Sequence, residues 1–207
     1  MREKAFGWTG VTVPIVGQGT WMIEGSEARE REAIRSLQLG IELGLTHVDT
    51  AEMYGSGCAE ELTGEAIAGQ REKVFLVSKV LPSNASRRGT IEACERSLRR
   101  LKTDYLDLFL LHWRGRYPLE ETMEALEQLV CAGRIRFLGV SNFDLDDLRL
   151  AEAALGQGRI ASNQVLYHLE ERGIERRLIP YCREKGIAVV GYSPFFQGRF
   201  PKSSSPG

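Results

Sequence analysis

The sequence predicts an incomplete (β/α)8 TIM-type parallel barrel, and three observations carry that prediction. Short apolar runs alternate strictly with helical stripes through about seven successive units. The runs are apolar nearly from end to end, as in strands buried on both faces, which means a parallel sheet covered by helices. No Gly-x-Gly-x-x-Gly follows a predicted strand, which argues against an open, doubly wound dinucleotide-binding sheet and leaves the barrel. At 207 residues the chain suits one domain, 1–207, with a hairpin at 1–16 and an irregular tail at 196–207.

The elements follow in order. Residues 4–16 read as a hairpin turning at Trp8-Thr-Gly10, placed either to plug one end of a barrel or as an ordinary edge ribbon. Val16 to Thr20 forms a first strand, and Ser26 caps a helix whose apolar stripe, Ile34, Leu37 and Ile41, ends at Gly44. Strand 45–49 precedes a helix near 58–69, and strand 74–79 precedes a helix near 86–101. Strand 105–112 leads to a helix opened by Pro118. Strand 135–140 ends at Ser141-Asn142, before a helix from Asp144. A sixth strand spans 160–164, a helix spans 171–185, and a seventh strand spans 187–192. The tail has turn formers and no apolar stripe, so no eighth strand is expected there.

Composition narrows the function. A net charge of −1 gives no electrostatic reason for a nucleic-acid or acidic-membrane partner. The four cysteines form no CxxC pair and read as reduced thiols of a cytoplasmic protein. No apolar run approaches the roughly 20 residues that cross a bilayer, and no signal peptide is seen. His47, His112 and His168 lack ligand spacing, so no metal is expected.

In a barrel of this kind the site lies at the strands' C-terminal ends. Asp49 ends one strand, Lys79 the next and His112 the one after, while Tyr54 follows Asp49 in a loop closed by Gly55. A free tyrosine, with a pKa of about 10, is a poor proton donor near neutrality. A neighbouring lysine cation is expected to lower that value, and Asp49 to hold the lysine charged. His112 can donate to a substrate oxygen, so the group can polarise a carbonyl and protonate it. Such a site lacks electrons and implies a hydride-carrying cofactor. Ser141, Asn142 and Gln164 can hydrogen-bond a carboxamide, Tyr192 can stack on a flat ring, and the backbone around Ser193, Pro194 and Phe195 can approach a pyrophosphate.

These residues sit in motifs that resemble the aldo-keto reductases, barrel enzymes that reduce aldehydes and ketones with NAD(P)H. The motifs are Gly17-Gln-Gly-Thr-Trp21, Asp49-Thr-Ala-Glu-Met-Tyr54-Gly55, Val77-Ser-Lys79, Asp104-Tyr-Leu-Asp-Leu-Phe-Leu-Leu-His112-Trp113, Gly139-Val-Ser-Asn142, Asn163-Gln164 and Tyr192-Ser-Pro194. The resemblance implies that Tyr54 is the general acid, completed by Asp49, Lys79 and His112. It implies that Ser141, Asn142 and Gln164 bind the nicotinamide amide and that Tyr192 stacks on its ring. Gly19, Thr20 and Trp21 then line the cofactor mouth, Trp21 and Trp113 the substrate pocket. The implied cofactor is NADP(H) in preference to NAD(H), and the substrate a small carbonyl compound.

The family normally continues with an eighth strand, a basic segment for the ribose phosphate and C-terminal helices, which are not seen in this sequence. A monomer is expected, with self-association through uncovered sheet edges as its hazard. Two other readings stand beside the enzyme: a non-catalytic nucleotide-binding barrel serving as sensor or partner subunit, and an inactive fragment of a longer reductase. Singly, Asp49 reads as a turn carboxylate, Lys79 as a solvated strand end, Tyr54 as a packed loop aromatic and His112 as a structural histidine. Together, at successive strand ends in the family's spacing, they read as a site. Ser141-Asn142 also reads as a helix start, since both residue types cap well. Asp107, on the opposite strand face from His112, is assigned to structure.

Overall fold

The structure, a computed structural model, describes residues 1–198. The expected tail lies outside the described residues from 199 onward. Its first part, Phe196–Gly198, is a single 3-10 turn.

An antiparallel hairpin, β1 (Glu3–Ala5) and β2 (Thr12–Pro14), precedes a seven-stranded parallel sheet. Its strands are β3 (Gln18–Gly19), β4 (His47–Asp49), β5 (Phe75–Val80), β6 (Leu106–Leu111), β7 (Ile135–Ser141), β8 (Ile160–Leu166) and β9 (Ala188–Tyr192). From β4 onward each pairs in parallel with the strand before it, so spatial order equals chain order. Between them run α1 (Glu27–Glu42), α2 (Cys58–Ala66), α3 (Arg87–Leu101), α4 (Leu119–Cys131), α5 (Leu145–Ala153) and α6 (Leu178–Lys185). This is the arc of a (β/α)8 barrel; among the described residues β3 and β9 each pair with one neighbour only. No helix among the described residues is long and apolar enough to cross a membrane.

Local chemistry sets most boundaries. Ser26, Ser86 and Asp144 cap α1, α3 and α5 by accepting backbone N–H groups from Arg29, Gly89 and Asp147. The expected helix 171–185 is shorter, and α6 begins only at Leu178. Pro180 explains this: its ring would clash with the carbonyl four residues back, so it fits only within a first turn. A separate 3-10 turn, Gly173–Glu175, takes up the chain before it.

Strand alternation builds two apolar layers. Val48, Leu76, Val80 and Phe109 face outward into the core shared with the helices. Phe75, Val77, Leu108 and Leu110 face inward and meet Phe6 and Val13 from the hairpin. The hairpin therefore plugs the barrel's N-terminal end, with the Trp8 indole donating to the Ile160 carbonyl at 2.8 Å. Gly7, at φ +58°, makes that approach: a Cβ there would lie 2.3 Å from the Gly186 carbonyl oxygen.

Below the rim, Asp107 is buried and paired at 2.9 Å with both Arg71 and Arg136, the structural role expected of it.

Candidate active site

The inward face that begins with Phe75 and Val77 ends at Lys79, and that of β6 continues from Leu108 and Leu110 to His112. The same parity brings His47 and Asp49 inward on β4. Three polar residues thus crown three adjacent strands above an apolar floor. Tyr54 reaches them because the residues after it, Gly55, Ser56 and Gly57, all adopt positive φ and turn the chain sharply. Glycine supplies that conformation without strain at two of the three positions.

Lys79 is the centre of the cluster. Fully buried, its ammonium donates to Asp49 Oδ1 at 2.5 Å, to the Thr50 carbonyl at 2.8 Å and to the Tyr54 hydroxyl at 3.2 Å. All three of its protons have acceptors, which a buried cation requires. Thr50 was not singled out in the sequence, because a backbone carbonyl leaves no side-chain signal. The Tyr54 and His112 rings meet edge to face with centroids 5.8 Å apart, and Trp113 packs on His112 at 4.8 Å.

Electrostatics assign the protons. Burial is the largest influence on Lys79 and opposes its charge, but Asp49 and Tyr54 outweigh it and hold the pKa above the ordinary lysine value. For Tyr54 burial again comes first and raises the pKa, while Lys79 pulls it down. The expected lowering is thus real as the lysine's own contribution but loses to burial in the sum. His112 is pushed down to about 4, by burial and then by Lys79, so it is a neutral imidazole near neutrality.

The His112 shift has a stability consequence of definite sign. Its folded pKa lies below the ordinary 6.5, so between these values the unfolded chain binds more protons. Stability therefore falls as pH drops through that window. His47, also buried and lowered, acts in the same direction. Melting temperature measured against pH is expected to decline on the acid side, with a shallower decline in His112→Gln; parallel curves would refute the assignment.

The remaining candidates extend the rim. Thr20 is buried and gives both its N–H and its hydroxyl to the Asp49 carbonyl, while Gly19 ends β3 beside Asp49. Trp21 is half exposed at the mouth. Ser141 donates to the Gln164 carbonyl at 2.9 Å. Asn142, in the left-handed region at φ +60°, donates to the His112 carbonyl at 3.0 Å and accepts the Tyr192 hydroxyl at 2.7 Å. Asparagine tolerates that conformation better than most residues. The helix-start reading of Ser141-Asn142 fails, since Asp144 is the cap. Ser193 and Pro194 follow β9 in a turn closed by the Phe196 N–H on the Ser193 carbonyl, and Phe195 is exposed.

Gln164 is the surprise. Its amide nitrogen donates to Asp49 Oδ2 at 2.7 Å, linking β8 to β4 although three strands of the sheet lie between them. Three residues of β7, Leu138 to Val140, face four of β8, Ile160 to Asn163. This extra residue is a β-bulge, and it reverses the alternation so that both Ala161 and Gln164 point inward.

A family model described as the aldo/keto reductase family matches residues 15–206. The chain belongs to the aldo/keto reductase family. This reductase is 51% identical over 198 residues to the methylglyoxal reductase YeaE of Escherichia coli, covering 95% of this chain and 70% of that one. It is 35% identical to the aldo-keto reductase YhdN of Bacillus subtilis, over 96% of this chain and 63% of the relative. Among solved structures, an aldo/keto reductase from Klebsiella pneumoniae in complex with NADP and acetate superposes with a TM-score of 0.90 at 47% identity. That match covers 96% of this chain and 70% of the Klebsiella chain. The chain therefore spans roughly two thirds of the length of these relatives.

Proposed function

We propose that this aldo/keto reductase reduces a small aldehyde or ketone to the alcohol with NADPH, Tyr54 delivering the proton. The observation that carries the reading is the buried ammonium of Lys79 held between Asp49 and the Tyr54 hydroxyl. Its likeness to a methylglyoxal reductase and to an NADP-bound structure supports the substrate class and the choice of NADP(H).

The rim suits a nicotinamide nucleotide by its chemistry. Asn142 and Gln164 offer amide groups, Ser141 a hydroxyl and Tyr192 a half-buried ring, on the neighbouring strands β7, β8 and β9 at or near their C-terminal ends. Bound NADPH supplies the hydride. The chain's own groups then act on the substrate oxygen: neutral His112 donates a hydrogen bond, and Tyr54 gives up its proton as charge develops there. Lys79 stabilises the phenolate that remains, and Asp49 keeps Lys79 charged. Trp21 and Trp113 flank the opening and suit a small carbonyl compound.

The chain is read as one cytoplasmic, monomeric unit, whose β3 and β9 edges offer a route to self-association. Titration with NADPH followed by fluorescence, then oxidation of the nucleotide by methylglyoxal, tests the whole reading. Saturable binding with methylglyoxal-dependent oxidation is expected. Tight binding without oxidation would replace the enzyme by a nucleotide-binding barrel, and no binding would make the chain inactive by itself.

A further inference from the structure

Asp49 has two carboxylate oxygens, and each is taken by one partner: Oδ1 by Lys79 and Oδ2 by Gln164. A carboxylate only accepts, so the Gln164 amide must turn its nitrogen to Asp49 and its Oε1 away. Gln164 is itself nearly fully buried, and the bulge in β8 brings its side chain inward. A side chain that served a cofactor alone would not need to spend its nitrogen on the carboxylate that anchors Lys79.

We propose that Gln164 is a positioning residue of the proton-delivery chain, fixing the Asp49 carboxylate that in turn holds Lys79 against Tyr54. The inference rests on the reading of Tyr54 as proton donor. It makes the nicotinamide end of the site and the proton donor one hydrogen-bonded chain: Gln164, Asp49, Lys79, Tyr54. With one of its two N–H donors committed to Asp49, Oε1 faces away from the carboxylate and is the atom able to accept from a carboxamide. The charged and titratable groups around this chain are Asp49, Lys79, Tyr54, His112 and, below Asp49 on β4, His47, with Tyr192 beyond Tyr54.

Two variants of the full chain, Gln164→Leu and Gln164→Glu, test it. The first readout needs no turnover: the Tyr54 Cζ resonance of tyrosine-labelled, nucleotide-free protein, identified by its loss in Tyr54→Phe, is followed against pH. In Gln164→Leu the Tyr54 ionisation is expected to move upward, because burial is unchanged while Lys79 is held less firmly. The second readout is kcat at saturating NADPH. Gln164→Leu is expected to lose about tenfold or more, the worth of a hydrogen bond to a charged group. Gln164→Glu is expected to recover towards wild type as pH falls, because a protonated glutamic acid can donate to Asp49 where an ionised one repels it. Two carboxyls sharing a proton raise one pKa strongly, which brings this recovery towards the working range.

A Tyr54 titration in Gln164→Leu superimposable on wild type, with the damage confined to nucleotide affinity, would overturn the proposal. So would a Gln164→Glu profile without acid recovery, which is the deciding arm if the leucine variant does not fold. Absence of turnover in the wild type would instead fault the functional reading, and the resonance titration would still decide the role of Gln164.

Discussion

Tyr54→Phe is expected to lower kcat by about 10²–10⁴-fold, the usual contribution of a positioned general acid. The substitution removes one hydroxyl and leaves the ring, so its edge-to-face contact with His112 is kept. The lysine also keeps most of its support, since Asp49 and the Thr50 carbonyl still accept from it. NADPH affinity should therefore change little, stability should fall only by the ~1–3 kcal/mol of one buried N–H left without its acceptor, and the loss of activity should appear in kcat. The remaining donor near a substrate oxygen is His112, which is neutral and, with a pKa of about 4 for its cation, gives no ready proton near neutrality. A phenylalanine variant that turns over within threefold of wild type (about 0.6 kcal/mol of activation free energy) would move the acid role away from Tyr54.

The parts of this site that were readable in sequence share one property: they end apolar runs. Asp49, Lys79 and His112 each break a strand's hydrophobic pattern at its last inward position, and alternation carries that break to the rim. Tyr54 was readable because a glycine follows it where the chain must turn. Gln164 lies two residues inside the end of β8, which runs past the expected 164 to Leu166, and its partner was not legible. Simple alternation from Ala161 would turn Gln164 outward, and only the extra residue in β8 reverses that. A bulge depends on pairing between two strands and leaves no mark in either alone. Pro180 was visible in the sequence, and its limit on the start of α6 follows from ring geometry that periodicity does not register. The sum of influences on Tyr54 was illegible for another reason: the sign of the lysine's effect follows from charge, whereas burial depends on the whole fold.

Lys79→Met separates the two jobs of the lysine, and it is expected to damage both. Methionine matches the lysine stem in length and fills the buried space without the charge. Asp49 then keeps a largely buried carboxylate, 16% exposed, with Gln164 as its remaining side-chain donor. Removing one partner of a buried ion pair typically costs ~3–5 kcal/mol, because the survivor stays desolvated and uncompensated. Urea unfolding should show a lowered midpoint, shifted by that loss divided by the slope, with the slope itself unchanged. The double variant Asp49→Asn, Lys79→Met removes both charges, and the asparagine amide can still accept from Gln164. It should regain a substantial part of the stability lost in the single variant. Activity should not return with it, because no cation remains to stabilise the Tyr54 phenolate. Recovery of stability without recovery of turnover would show that the pair is retained for proton delivery rather than for folding. Equal stability of the single and double variants would mean that Asp49 finds other compensation once the lysine is gone.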